Sequence, residues 1–181
     1  GFANALTVNT AAGDDLITLG VGGSVVDAGN GANTVTVGAA NDGAQDDAIT
    51  TGSGVDLIKI SDAQLSGNLS VAAGGGSDTL QMMDDASLAD ADLAQLSALE
   101  IVKLSADAGD DAQSVVLAAN AESAGITTID ALAAGADDAV SIDASDFDNG
   151  LTVTTAAGDD SIVLGSGGSV VHAGDGANTV T

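Results

Sequence analysis

Gly13, Asp15 and Ile17 are followed nine residues later by Gly22, Ser24 and Val26, and nine later again by Gly31, Asn33 and Val35. The series returns as Gly158, Asp160, Ile162, then Gly167, Ser169, Val171, then Gly176, Asn178, Val180. GSGVDLIKI at 52–60 and GGGSDTLQM at 74–82 are further instances, and Asp47 and Ile49 stand nine residues before Asp56 and Ile58. A short fixed period marks a chain that stacks one small unit on itself. In each unit the glycine half supplies a turn, because glycine tolerates positive φ and close backbone approach. The other half alternates with period two: Ile17 and Leu19, Val35 and Val37, Ile58 and Ile60 share one face, with threonines, Leu16 and Lys59 on the other. Two nonapeptides then close one coil of about 18 residues. The expected fold is an all-β parallel solenoid of the β-roll or β-helix type, with two sheets facing across a narrow core.

A second, longer echo organises the chain. FANALTVNTAAGDDLITLGVGGSVVDAGNGANTVT at 2–36 and FDNGLTVTTAAGDDSIVLGSGGSVVHAGDGANTVT at 147–181 agree at 27 of 35 aligned positions with a constant offset of 145. Residues 1–145 therefore read as one repeat unit, with glycine- and aspartate-rich nonapeptides over 11–82 and a degenerate solenoid over 83–145. Residues 146–181 read as the start of the next tandem unit. At about 18 residues per coil and about 4.8 Å between strands, one unit would rise about 40 Å.

Composition sets limits on both core and partners. With 25 glycines, two phenylalanines and no Trp, Tyr, Pro or Cys, the core must be thin and a disulfide framework is excluded. Apolar residues at 45% argue against disorder. Twenty-seven acidic groups against two basic ones give a net charge of −25, which disfavours nucleic acid and anionic membranes and destabilises a compact state unless cations neutralise it. No apolar run is long enough for membrane insertion. The start at Gly1-Phe2-Ala3 reads as an excerpt from a longer polypeptide.

The nonapeptides resemble the GGxGxDxUx repeats of the RTX family of bacterial secreted proteins, over 11–37, 46–82 and 156–181, and the SIDAS and GLTVT strings at 141–145 and 150–154 are similar to the degenerate repeats of RTX-type surface-layer proteins and giant adhesins. The resemblance implies a calcium-binding solenoid at the bacterial cell surface or outside it, exported by type I secretion. Stacked turns would align aspartate side chains and glycine-region carbonyls, and calcium takes six to eight such oxygens. The candidate ligands are Asp15 and Asn33, eighteen apart on one edge, their counterparts Asp160 and Asn178, then Asp47, Asp56 and Asp78, with Asp14, Asp159 and Asp138 beside them. Ser24 and Ser169 lack a carboxylate, Asn33 and Asn178 offer a neutral oxygen, and Ala11 stands where the first glycine belongs, so some turns are expected to be dry. Each aspartate could instead be a turn former bonding its own backbone.

Toward the middle, the stretch from Ser87 to Leu99 predicts a short helix near 87–98, with Ser87 as cap, Asp90 at the capping-box position and Leu93 and Leu96 on one side. IVKLS after it reads as a strand, with Lys103 solvated or paired locally with Glu100. Val115 and Leu117, Val140 and Ile142, Leu151 and Val153 are expected inward, with Asp111 and Asp138 in the turns of weakened motifs. The sole histidine, His172, aligns with Asp27 and reads as a surface substitution. GxSxG is absent, and no serine has a recognisable His and acid partner, so an enzyme is not expected. The TVNT, TVT and TVTT strings suggest strands rather than an ice-binding ladder. The expected function is a tandem structural array, self-associating end to end or laterally, as a surface layer, matrix filament or adhesin stalk. Such a stalk could contact a cell-surface polysaccharide or another adhesion ligand. The alternative is the calcium-binding secretion and folding module of an exported enzyme or toxin.

Overall fold

A computed structural model describes residues 6–20, 22–38, 47–65, 68–105, 112–135 and 138–181. Asp111 and position 46, where the second block of motifs begins, lie outside them. The chain first runs through β1 (Thr7–Asn9), β2 (Leu16–Thr18), β3 (Val25–Asp27), β4 (Thr34–Thr36), β5 (Ala48–Thr50) and β6 (Leu57–Ile60). After α1 (Asp62–Leu65) come β7 (Ser70–Ala72), β8 (Thr79–Met82), β9 (Ser87–Leu88), a 3₁₀ turn (Asp90–Leu93) and β10 (Leu96–Ser97). Then follow β11 (Ile101–Ser105), β12 (Gln113–Val116), α2 (Ala119–Ala124), β13 (Thr128–Ala133) and β14 (Val140–Ala144). The chain closes with β15 (Thr152–Thr155), β16 (Ser161–Leu164), β17 (Val170–His172) and β18 (Thr179–Val180).

These strands wind into a parallel β-solenoid. A central sheet of eight strands, β2-β4-β6-β8-β11-β13-β15-β17, runs along the rod. Facing it in the first half is an N-side sheet, β1-β3-β5-β7-β10, and in the second half a C-side sheet, β9-β12-β14-β16-β18. The chain thus forms three sheets where two were expected. In the coil between β8 and β11 all three are present at once, and this wider section is filled by Leu88, Leu93, Leu96, Leu99 and Leu104, each at most 4% exposed.

The coil length is not uniform. Successive strands lie 18 residues apart at the two ends, where Leu16 stands opposite Thr34 and Thr152 opposite Val170. Between them the step grows to 23 (Thr34 to Leu57), 22 (Leu57 to Thr79), 27 (Ile101 to Thr128) and 24 (Thr128 to Thr152). Eighteen residues per coil therefore holds only where two nonapeptides follow each other directly, and the single nonapeptides at 52–60 and 74–82 sit in longer coils. Among the described residues, the coil from Leu57 to Thr79 carries α1, that from Thr79 to Ile101 the broader leucine core, and that from Ile101 to Thr128 carries α2. The helix expected near 87–98 is replaced by β9, the 3₁₀ turn and β10, because leucines on both sides of the turn are drawn into the core by separate sheets.

The predicted alternation holds along the strands. Ile17, Val35, Ile58, Val115, Ile142 and Val153 are buried, while Leu16, pointing outward, is 79% exposed. At the turns, the backbone of one coil rests directly on the next. Gly54 has φ 149, and a β-carbon there would lie 2.1 Å from the Gly31 carbonyl oxygen; at Gly76, φ 153, it would lie 1.5 Å from that of Gly54. Ala11 accepts φ 65 at the place where Gly29 has φ 69, a conformation that costs an L-residue about 1 kcal/mol.

A stacked carboxylate edge as candidate cation site

The residue before each of the first strands of the central sheet reaches across to the neighbouring coil. The Asp15 N–H donates to Oδ1 of Asn33 (3.2 Å), the Asn33 N–H to Oδ1 of Asp56 (2.8 Å), the Asp56 N–H to Oδ1 of Asp78 (2.8 Å), and the Asp78 N–H to Oε2 of Glu100 (2.8 Å). This five-rung ladder has a local cause. An N–H emerging from a tight turn lacks a ladder partner, and a short side chain with an acceptor in the adjacent coil supplies it.

The second polar atom of each rung distinguishes aspartate from asparagine. Nδ2 of Asn33 donates to the carbonyls of Gly29 (3.2 Å) and Gly31 (3.1 Å), joining the rung to its own glycine turn. In Asp15, Asp56 and Asp78 the corresponding atom is an oxygen. Each of these Oδ2 atoms is buried and has no hydrogen-bond partner, and Asp56 and Asp78 are 0% exposed. A buried carboxylate oxygen without a donor is costly. Burial pushes the Asp78 carboxyl above its ordinary range, the neighbouring charges of Asp56 and Glu100 push the same way, and the Asp56 N–H opposes them. These rungs lack positive charge at the place where the asparagine rung has an amide.

The other candidates divide into groups. Asp160 and Asn178 repeat the arrangement of Asp15 and Asn33 at the C-side sheet: the Asp160 N–H donates to Asn178 Oδ1 (2.9 Å), and Nδ2 of Asn178 donates to the Ala173 (2.8 Å) and Gly174 (3.3 Å) carbonyls. Asp160 itself is satisfied, since Oδ1 accepts the Val140 N–H (2.9 Å) and Oδ2 the Thr155 hydroxyl (2.5 Å). Asp47 stands apart, before β5, accepting the Ser24 N–H at 2.6 Å; burial raises its pKa. Asp14 and Asp159 lie at the surface and accept the Ala32 and Ala177 N–H groups, each at 2.8 Å. Asp138 closes a local turn by accepting the Gly135 N–H at 2.7 Å.

Among the described residues, no three Asp, Glu or His side chains converge as a ready metal cluster. Any cation on the edge would have to combine a carboxylate oxygen with backbone carbonyls, an all-oxygen donor set of the kind a hard divalent ion takes. Two polar roles were not read from the sequence. Glu100 ends the ladder, and its signal was its position 22 residues after Asp78, the same step that separates Asp56 from Asp78. Asp90 caps no helix of its own; its carboxylate accepts the N–H groups of Ala118 (2.8 Å), Asn120 (3.2 Å) and Ala121 (2.9 Å) at the start of α2 in the next coil. Lys103 pairs with Asp130 on β13 at 3.5 Å rather than with Glu100. Compared with protein-family models, with curated proteins and with solved structures, the chain matches none.

Proposed function

We propose that this chain is a segment of an extracellular structural array of stacked β-solenoid units, stabilised by calcium at particular rungs and carrying no chemistry of its own. The observation that carries the reading is the contrast within one ladder. Where the rung is asparagine, its amide joins the glycine turn; where it is Asp15, Asp56 or Asp78, an orphaned buried oxygen takes the amide's place. The equivalent turn carbonyls belong to Gly52 and Gly54 for Asp56, and to Gly74 and Gly76 for Asp78. A calcium ion there would bridge like-charged oxygens that otherwise repel. It would also remove two units from a net charge of −25. Asn33, Asn178 and Asp160 are assigned as dry. The resemblance to RTX repeats and the echo of residues 2–36 in residues 147–181 both support export and tandem assembly.

The test is thermal unfolding with calcium and with chelator. Calcium should raise the Tm of the natural chain. Asp56→Asn combined with Asp78→Asn should raise the Tm in chelator, since each amide replaces an orphaned charge by donors to the turn, worth about 1–3 kcal/mol per rung. The same variant should respond less to calcium. A Tm indifferent to millimolar calcium, with no bound ion in native mass spectrometry, would remove the calcium reading.

A further inference from the structure

Residues 147–181 repeat residues 2–36 in sequence but not in place. β1 and β3 belong to the N-side sheet and β2 and β4 to the central sheet, whereas their counterparts β15 and β17 belong to the central sheet and β16 and β18 to the C-side sheet. The cause is a parity in the winding. From β2 to β15 the central sheet advances six strand positions while the chain lays down thirteen strands, because the coil that starts at β8 uses three strands and each other coil two. The repeat itself spans fourteen strands, from β1 to β15, so two-strand coils alone would return it to the same wall; the single three-strand coil moves it to the opposite one.

From this we infer that each 145-residue unit in a tandem array is turned over about the rod axis relative to the unit before it. The inference rests on the array reading above, but the junction itself lies within this chain. β15 pairs in parallel with β13, and β16 with β14, so the start of the second copy continues the stacking of the first without a break. Six strand spacings make the advance from β2 to β15 about 29 Å.

The consequence falls on the one cationic stripe of the molecule. Both basic residues, Lys59 and Lys103, stand on the outer face of the central sheet in a single column, with Gln81 between them in register. In the following unit the strand equivalent to β6 would extend the C-side sheet beyond β18, as β6 extends the central sheet beyond β4. The lysine column, in which Lys103 is paired with Asp130 of β13, then alternates between the two broad sides of the rod.

The test uses the full chain extended after Thr181 by a second copy of residues 37–181, which completes the second unit. The natural sequence contains no cysteine, so Lys59→Cys in both units gives two unique thiols for small gold clusters viewed by electron microscopy. Gln81→Cys, in the same column, serves as a second variant. Clusters on opposite edges of one continuous rod are expected. Clusters on the same edge would overturn the inference, as would two separate rods. A parent gene with a single unit would instead remove the array reading while leaving the turned-over junction intact.

Discussion

At the scale of single residues, the acids of this rod are in conflict with their own burial. Asp47, Asp62 and Asp78 all have raised pKa values. Burial is the leading cause in each, helped at Asp62 by the charges of Asp84 and Asp92. A carboxyl whose folded pKa exceeds its unfolded value contributes stability that is complete below the unfolded value and is lost as pH rises through the folded one. The metal-free rod should therefore become more stable as pH falls from neutral toward the region just above 3.8, the ordinary aspartate value. Asp143, held lower by Ser145, works in the opposite direction from an exposed position. Melting curves in chelator between about pH 7 and pH 4.5 check this, and Asp62→Asn should flatten the slope. In calcium the trend should reverse, because protons compete with the ion for the same oxygens.

The elements show what a nine-residue rhythm can and cannot announce. Where Gly and Asp recur on schedule, strand, turn and inward face were all legible, because a period-two strand between glycine turns has one way to bury Ile17 and Val35. The middle was not legible for a physical reason. Ser87–Leu99 carries helical spacing, but its leucines serve two different sheets, and the neighbouring coils decide where they go. Asp90 is the clearest case. The sequence places it in a capping box of a local helix, but Asp92 takes the local N–H, of Ala89, and Asp90 accepts from α2, which comes about 30 residues later. Asp90→Ala should leave the three N–H groups of α2 without their acceptor and cost about 1–3 kcal/mol, measurable by denaturant unfolding. Asp90→Asn should recover part of the loss. The cation rungs were legible as residue types, whereas the distinction between a self-satisfied Asn33 and an orphaned Asp56 required the position of their second atoms.

For the molecule as a whole, the 145-residue echo was visible in the sequence, but its change of sheet was not. That change depends on a single three-strand coil in a stretch without clear motifs. The same stacking has a mechanical side. Every inter-strand hydrogen bond of the three sheets points along the rod, the direction in which coils stack. A load applied between the ends meets these bonds head-on and opens them a few at a time, whereas sliding strands past one another would engage a whole set together. Extension should therefore proceed as a staircase at low force. Each coil that peels away frees 18 residues at the ends and up to 27 in the middle, or about 60 to 90 Å of extended chain at about 3.4 Å per residue. Single-molecule stretching should resolve these unequal steps, with calcium raising the force of those that carry Asp56 and Asp78. A rod built this way yields length gradually under tension, shedding turns in place of snapping.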